Sequence, residues 1–411
     1  MRRFISCTVV GLCLIGASLS PVMAAPPYNK LNAFAEALER VHDNYVREIS
    51  VDELIDKAIG GMLSGLDPHS SYMIPHEIDA MQASQSGVGL EVAVTDRGHF
   101  KVVDVIDHTP AAAAGIMSGD YIFAIDGLPV SGAPLSKVID LLRGPEKSVV
   151  KLAILRAGAK KQLEFAISRA PIVVESVRSE RRDNVGYIRI GTLDGETDEL
   201  LKRAIMSLKT TIGAKLSGYV VDLRNNEGGL LDQAVAVSDQ FLDSGNIVCI
   251  RGRAIKDTQR YDAHAGDLTN GKPIIVLINE RSAAGAEIIA GALQDNKRAT
   301  IIGMKSFGDG TIQTIIPLSG SNGALRLTTA RVILPSGREI QATGLTPDIA
   351  VSQRPQPAAD SDMPSGEAAL FGHLFPGADS GGTDKPVIYP EAGKAYDDFQ
   401  LAYALKVLSE R

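Results

Sequence analysis

Residues 279–313 hold the side chains whose types and spacing suit chemistry on a carbonyl group. An apolar run at residues 273–279 predicts a buried strand, and an alanine-rich run at residues 286–296 predicts a helix directly after it. The turn between them would lie at the helix N-terminus, where free N–H groups and the helix dipole stabilise an oxyanion. Such a turn suits a nucleophile.

A second turn of this kind lies earlier in the chain. A predicted strand at residues 218–223 leads through Gly228 and Gly229 into a predicted helix at residues 231–242. Glycine allows the sharp change of direction that such a turn needs. The alternation of strands and helices from residue 172 onward predicts an α/β core with right-handed crossovers.

Both turns resemble segments of the carboxyl-terminal processing, or tail-specific, serine peptidases. The matching motifs are Glu-Ile-Ile-Ala-Gly-Ala-Leu-Gln-Asp at residues 287–295, Ser-Phe-Gly-Asp-Gly-Thr-Ile-Gln at 306–313 and Asp-Leu-Arg-Asn-Asn-Glu-Gly-Gly at 222–229. The resemblance implies a serine nucleophile three residues before the first glutamate. It also implies a lysine base between the two glycines of the second motif.

Neither implied catalytic residue is present. The nucleophile position is Ala284 and the base position is Asp309, with 309 − 284 = 25 residues between them. A methyl group has no oxygen to attack a carbonyl, and a carboxylate with a reference pKa of about 3.9 cannot replace a neutral amine. Gln313, which resembles the residue that orients the lysine, is retained. The resemblance assigns the oxyanion-stabilising backbone to three glycines, Gly228, Gly229 and Gly285.

A relocated dyad is the alternative interpretation. Ser282 lies two residues before the vacant position, and Lys305 lies four residues before Asp309. Moving two residues along a turn changes the side-chain direction by far more than the roughly 0.5 Å tolerance of a catalytic site. The competing interpretation is a turn or cap serine and a surface lysine. Glu227 replaces a proline of the family motif, and its carboxylate would oppose an oxyanion if it faced inward.

Residues 85–170 predict a separate small β-rich domain. Gly-Val-Gly-Leu at residues 87–90 precedes a strand, and Gly-Asp-Tyr-Ile-Phe-Ala-Ile-Asp-Gly follows at 119–127. Together they resemble a PDZ domain, which implies that loop N–H groups hold a terminal carboxylate and that a peptide pairs with the strand from Leu90. The following helix would line a side-chain pocket with Val138, Ile139 or Leu142. The predicted peptide-binding residues are Gly87, Val88, Gly89, Leu90, Val138 and Leu142.

The predicted fold is an α/β peptidase core of the carboxyl-terminal processing type, preceded by this PDZ domain and by N-terminal helices. The predicted boundaries are residues 1–24 for a signal peptide, 28–80 for the helical region, 85–170 for the PDZ domain, 171–352 for the core, 353–394 for a flexible linker and 395–411 for a C-terminal helix. The linker is predicted from its Pro, Gly, Ser, Ala and Asp content. The last helix either docks on the core or serves oligomerisation.

The spacing of Leu31, Phe34, Leu38, Val41 and Tyr45 predicts an amphipathic helix near the start of the mature chain. Its apolar stripe is interpreted either as a surface that packs on the neighbouring domain or as the interface of a homo-oligomer.

The first residues indicate export. Two arginines, a short apolar run and a small-residue site near Ala24 are typical of a signal peptide, which predicts a bacterial periplasmic location. The alternative is an uncleaved membrane anchor, although the apolar run is shorter than the ~20 residues that span a bilayer. After cleavage, Cys249 is the remaining cysteine, so no intrachain disulfide is expected.

The composition argues against other function classes. The net charge is −7 and no basic run is interleaved with aromatic residues, so nucleic-acid binding is not expected. No spacing of histidine, cysteine or aspartate predicts a metal site, and no cofactor is predicted.

The leading hypothesis is a pseudopeptidase that binds protein C-terminal tails through its PDZ domain and regulates or scaffolds proteolysis. Its partners would include an active homologous peptidase or an adaptor. One alternative is an active serine endopeptidase that cleaves near C-termini with Ser282 as a displaced nucleophile. Another is a purely structural protein whose PDZ domain is a passive spacer. Binding of apolar C-terminal peptides separates the first from the last.

Overall fold

The computed structural model of this chain describes residues 28–75, 77, 86–95, 98–106, 109–117, 119–133, 135–156, 161–172, 176–321, 323–353, 366–377, 385–391 and 396–410. The signal peptide predicted at residues 1–24 lies outside the described residues. The chain divides into two compact units, Met1–Ile59 and Gly60–Arg411. Each unit is described below by itself.

The N-terminal unit contains helix α1 (Tyr28–Asn44) and the beginning of helix α2 (Val51–Ser64). Ser50 caps α2, because its Oγ accepts a hydrogen bond from the Glu53 N–H at 3.1 Å. In the turn between the helices, His42 Nδ1 lies 2.9 Å from the Ile49 carbonyl oxygen. Four residues of the predicted apolar stripe are exposed, namely Leu31, Phe34, Val41 and Tyr45.

The second unit continues with strand β1 (Ser71–Met73). A β-rich region follows, built on a five-stranded antiparallel sheet with additional short strands and helices. These elements are β2 (Ser86–Gly87), β3 (Leu90–Val94), β4 (Phe100–Val105), α3 (Pro110–Ala114), β5 (Tyr121–Ile125), β6 (Leu128–Pro129), α4 (Leu135–Leu142), β7 (Val149–Leu155), β8 (Leu163–Ser168) and β9 (Ala170–Pro171). The strand order is β3-β4-β5-β7-β8, with β6 on β5 and a separate β2-β9 pair. Strand β3 therefore lies at an edge, beside α4.

The α/β core follows. Its elements are β10 (Val177–Arg182), β11 (Val185–Ile190), α5 (Thr197–Ile212), β12 (Gly218–Asp222), α6 (Leu231–Asp239), β13 (Asn246–Gly252), β14 (Gln259–Asp262), β15 (Ile274–Ile278), α7 (Gly285–Asp295), β16 (Thr300–Gly303), β17 (Thr311–Pro317), β18 (Ala324–Ile333), β19 (Ile349–Ala350) and α8 (Phe399–Ser409). Short 3₁₀ turns lie at Gly213–Lys215, Ile255–Asp257, Ser319–Ser321 and Gly366–Ala369.

The central sheet has the order β10-β11-β12-β15-β16-β19 and is parallel from β11 onward. Strands β12 and β15 are buried throughout, as expected for parallel strands covered on both faces. Val221 packs with helices α5, α6 and α7, whereas its neighbour Val220 packs with Leu401 and Ala404 of α8. The C-terminal helix thus docks on the core.

A second sheet, β1-β18-β13-β14 with β17 also on β18, lies beside this core. Strand β17 carries the second peptidase motif into this sheet. The two sheets therefore meet around residues 303–311, where β16 ends and β17 begins.

Residues 366–377, which lie inside the predicted flexible linker, make specific contacts with the core. Glu367 is fully buried, and Gln341 Nε2 donates to its Oε1 at 2.9 Å. Further along, Ile388 forms a β-bridge with Val351. The linker was predicted from amino-acid composition. Composition cannot reveal that one buried carboxylate, that of Glu367, contacts the core. Residues 354–365, 378–384 and 392–395 lie outside the described residues.

Within the described part of the chain, no helix combines the length and apolar character needed to cross a membrane.

Candidate functional site

Ala284 occupies the sharp turn between β15 and α7 and caps the helix. Its φ of 47° and ψ of −112° lie outside the conformations that residues with a Cβ favour. Backbone bonds hold the turn: the Ala283 N–H donates to the Asn226 carbonyl at 2.9 Å, and the Ala284 N–H donates to Glu287 Oε2 at 3.0 Å. The strained turn is therefore formed although its side chain is only a methyl group.

Glu287 is the buried centre of the site. Its Oε1 accepts from Ser306 Oγ at 2.5 Å and from the Gly308 N–H at 2.9 Å. Its Oε2 accepts from the N–H groups of Ala284 and Asp309, each at 3.0 Å. One carboxylate oxygen thus joins the backbone of the two positions that the family resemblance singles out. Burial raises the pKa of Glu287 to about 8.

The glycines of the second turn approach Ala284 closely. A Cβ on Gly228 would lie 2.8 Å from the Ala284 Cβ, and one on Gly229 would lie 2.1 Å from the Leu193 carbonyl oxygen. Gly285 is similarly crowded, because a Cβ there would lie 2.4 Å from Leu193 Cδ1. The Gly228 N–H donates to Asn226 Oδ1 at 2.8 Å. This N–H group is therefore already used within the protein.

Asp309 lies among ionisable groups rather than beside a nucleophile. His69 Nε2 is 4.0 Å from Asp309 Oδ1 and 2.9 Å from Glu367 Oε2. Burial raises the pKa of Asp309, and the nearby His69 opposes that shift. Thr311 Oγ1 donates to Asp309 Oδ1 at 2.9 Å, and Gln313 Nε2 donates to Thr311 Oγ1 at 2.8 Å. Gln313 thus reaches position 309 through a threonine hydroxyl.

Ser282 and Lys305, the residues of the alternative relocated dyad, occupy different environments. Ser282 is fully buried, where its Oγ donates to the Leu223 carbonyl at 2.8 Å and accepts from the Asn279 N–H at 3.0 Å. Lys305 is exposed. A nucleophilic Ser282 would have to give up its bond to Leu223, which holds the two strand ends together.

Glu227 faces solvent rather than the turn at Ala284. It forms an ion pair with Arg281, whose Nη2 lies 2.7 Å from Glu227 Oε1, and both side chains are largely exposed. The inward orientation that would oppose an oxyanion is not adopted. The pair joins the two strand-to-helix turns on their outer side.

The PDZ region contains a groove of about 660 Å³. Ile139 and Leu142 line it from α4. The four residues of the predicted loop also line it, namely Gly87, Val88, Gly89 and Leu90. Val138, which the sequence also predicted here, instead lies fully buried in the PDZ core, because adjacent helix residues point in different directions. Glu227 and Arg281 of the core also line the groove.

Sequence reasoning missed two residues of the site. His69 lies in the run Leu-Asp-Pro-His-Ser-Ser-Tyr at residues 66–72, and no role was predicted for it. Glu367 lies in the segment predicted to be a linker, and no local pattern distinguishes it. The Asp309 carboxylate itself was the available signal, since a buried carboxylate requires a cationic or hydrogen-bonding partner.

Among the residues that the structure describes, no group of three or more His, Cys, Asp or Glu side chains is arranged to hold a metal ion.

Three segments of the chain match known protein families. Residues 184–351 match peptidase family S41, residues 101–156 match a PDZ domain, and residues 18–76 match the N-terminal domain of the activating protease CtpB. The three matched ranges overlap the core, the β-rich domain and the N-terminal helices, respectively.

Whole proteins extend these matches. The carboxy-terminal-processing protease of Bartonella bacilliformis is 46% identical over 388 residues, covering 93% of this chain and 88% of that protein. The carboxy-terminal processing protease CtpA of Bacillus subtilis is 34% identical over 330 residues, covering 78% and 68%. The solved photosystem II D1 C-terminal processing protease aligns with a TM-score of 0.53 and 29% identity, covering 77% of this chain and 91% of that one. The chain belongs to the carboxy-terminal processing proteases of family S41 and carries a PDZ domain.

Proposed function

We propose that this chain is a pseudopeptidase that binds protein C-terminal tails through its PDZ domain and regulates or scaffolds proteolysis. The observation that carries the proposal is the turn at Ala284, which keeps a strained backbone but has no hydroxyl. The base position supports it, because Asp309 is an acidic residue beside His69 and Glu367. Neither residue can begin an attack on a peptide bond by the serine–lysine mechanism.

The first test is chemical. The purified mature protein should form no covalent adduct with a fluorophosphonate probe and should not cleave casein or a tail-bearing peptide. The paired restoration Ala284→Ser with Asp309→Lys should produce both labelling and cleavage, while each single change should not. An adduct on any side chain of the unaltered protein would refute the proposal.

An active serine endopeptidase with a displaced nucleophile is the second candidate, and it draws support from the proteolytic names of the relatives. It requires Ser282 to leave its bond to the Leu223 carbonyl and Lys305 to turn inward from solvent. Fluorophosphonate labelling of the unaltered protein that disappears in Ser282→Ala would establish this candidate. Absence of labelling in both proteins counts against it.

Tail binding is supported by the edge position of β3 and by the groove beside it. Antiparallel addition of a peptide to this edge would direct its carboxylate toward the loop at residues 87–90. A labelled peptide with an apolar C-terminal residue should bind, and the same peptide with an amidated C-terminus should bind at least about tenfold more weakly. Equal binding of both peptides would show that no terminal carboxylate is recognised.

The proposal extends to compartment and partners. Export to the periplasm, followed by pairing with an active homologous peptidase, an adaptor or a second copy, would bring bound tails to a competent active site. Secretion of a reporter fused after residue 24 tests the first step. Co-purification with a homologous peptidase, dependent on the N-terminal helices, tests the second.

A further inference from the structure

The position of the family base has become part of a buried charge network. His69 lies between two carboxylates, 2.9 Å from Glu367 and 4.0 Å from Asp309, and its side chain is 19% exposed. Its backbone N–H also donates to Asp67 Oδ1 at 2.9 Å. Three chain segments therefore meet at one imidazole: the loop at residues 67–70, the turn before β17 and the 3₁₀ turn Gly366–Ala369.

Glu367 fastens the segment of residues 366–377, here called the strap, onto that turn. The Glu367 N–H donates to the Phe307 carbonyl at 2.9 Å, while Glu367 Oε1 accepts from Gln341, whose Oε1 accepts from the Gly310 N–H at 2.9 Å. At the far end of the strap, Arg331 Nη1 donates to the Phe375 carbonyl at 3.0 Å. The Glu367 side chain is the buried anchor among these contacts.

Elsewhere, the strap exposes large aromatic side chains. Phe371 and Phe375 are 101% and 77% exposed, so their rings do not pack into the core. A segment with exposed aromatic rings and one buried ionic anchor depends on that anchor for its position. Loss of the anchor would uncover the Phe307 backbone and the turn that carries Asp309.

We propose that Asp309, His69 and Glu367 form a proton-controlled lock that holds the strap against the turn before β17. With His69 protonated, the imidazolium offsets both carboxylates and donates a charge-assisted hydrogen bond to Glu367. When His69 loses its proton, the two buried carboxylates face each other without a cation, and the strap opens more often. The substitution that removed the family base thus supplies one arm of the lock.

The carboxylates around His69 all raise its pKa. The hydrogen bond that His69 donates to Glu367 is the largest influence on the pKa of His69 and raises it, burial lowers it, and the charges of Asp309, Glu367 and Asp67 each raise it. Asp67 is itself satisfied by Ser70 and Thr328, and its pKa is lowered, so it stays charged as the others titrate. A histidine with a raised pKa holds the lock below its ordinary pKa of about 6.5 and releases it as pH rises through the higher value.

Hydrogen exchange of the strap tests the lock in the full chain. Exchange rates of residues 366–377, corrected for the intrinsic effect of pH, should show about five- to tenfold greater protection at about pH 6 than at about pH 8.5. His69→Gln keeps a hydrogen-bonding side chain without a charge, and it should lower protection and remove the pH dependence. His264→Gln is the matched control, because His264 also pairs with a carboxylate, Asp239 Oδ2 at 3.1 Å, but is 89% exposed.

A measurement on the unaltered protein protects the test against a misfolded variant. The NMR titration midpoint of His69 should lie above the ordinary histidine value of about 6.5 and coincide with the midpoint of strap protection. Strap protection that does not change with pH, or that changes at a pH where His69 does not titrate, would overturn the proposal. So would a His69→Gln protein that folds and keeps the pH dependence of the unaltered chain.

Discussion

The peptidase cleft and the PDZ groove both rest on glycine-containing turns beside strands, but they differ in what occupies them. In the cleft, the donors and acceptors bind one another: Glu287 takes four bonds, and the Gly228 N–H is used by Asn226. In the groove, edge strand β3 pairs with no described strand on its outer side, and about 660 Å³ is open. The polar groups of the cleft are thus bonded to one another around Ala284 and Asp309, whereas the groove is left open to a ligand.

The largest expected effect comes from emptying the centre of the cleft. Glu287→Ala would remove the acceptor of four hydrogen bonds at a fully buried side chain. We expect a loss of about 4 kcal/mol or more in the free energy of unfolding, measured by urea denaturation. The exposed Glu227→Ala is the control and should change stability by less than about 0.5 kcal/mol. Similar losses in both variants would show that the internal bonds do not hold the cleft.

The second expected effect is a pH dependence of the free energy of unfolding that arises from Glu287 in the cleft. The pKa of Glu287 rises from 4.5 to about 8 on folding, so its stabilisation is complete below pH 4.5 and is lost as pH rises toward 8. The protonated form fits if the Ser306 hydroxyl reverses its bond and accepts. Between about pH 5.5 and 7 the contribution of Glu287 to the free energy of unfolding should fall by up to about 1.4 kcal/mol per pH unit, since this side chain binds one proton in the folded state that it lacks in the unfolded state. Glu287→Gln cannot titrate, and a slope unchanged in that variant would assign the effect elsewhere.

Sequence predicted the two turns, because motif glycines and strand-to-helix changes are local signals, and the family resemblance assigned glycines of both turns to one oxyanion site. Ala284, Gly228 and Asp309 lie where the three motifs converge on Glu287. The bond between His69 and Glu367 joins residues 298 positions apart, and no local pattern carries that information. The same limit explains Val138, since helix periodicity gives a face but not its rotation relative to β3, and Ile139 lines the groove instead.

Peptide binding in the PDZ groove can be tested by substituting Ile139. Ile139→Glu places a carboxylate in an apolar part of the groove, where it would also repel a terminal carboxylate. We expect tail-peptide affinity to fall about tenfold, or about 1.4 kcal/mol, by fluorescence anisotropy. Ile315→Glu, on an exposed residue of β17, is the matched control and should leave affinity unchanged. Equal affinities in the three proteins would remove the groove from the binding site.

The smallest effect concerns the strain that the cleft retains. Ala284 has φ 47° and ψ −112°, a region that glycine adopts without steric penalty. Ala284→Gly should therefore raise the free energy of unfolding by about 1 kcal/mol, since relief of strain exceeds the entropy that glycine adds to the unfolded chain. Ala290→Gly, buried in the middle of α7, should have the opposite sign and lower stability by at least about 1 kcal/mol. Tail binding should stay the same in Ala284→Gly, because Ala284 does not line the PDZ groove. A loss of stability at both positions would mean that the Ala284 methyl packs favourably against Gly228, so that the turn is maintained by contact and not merely tolerated.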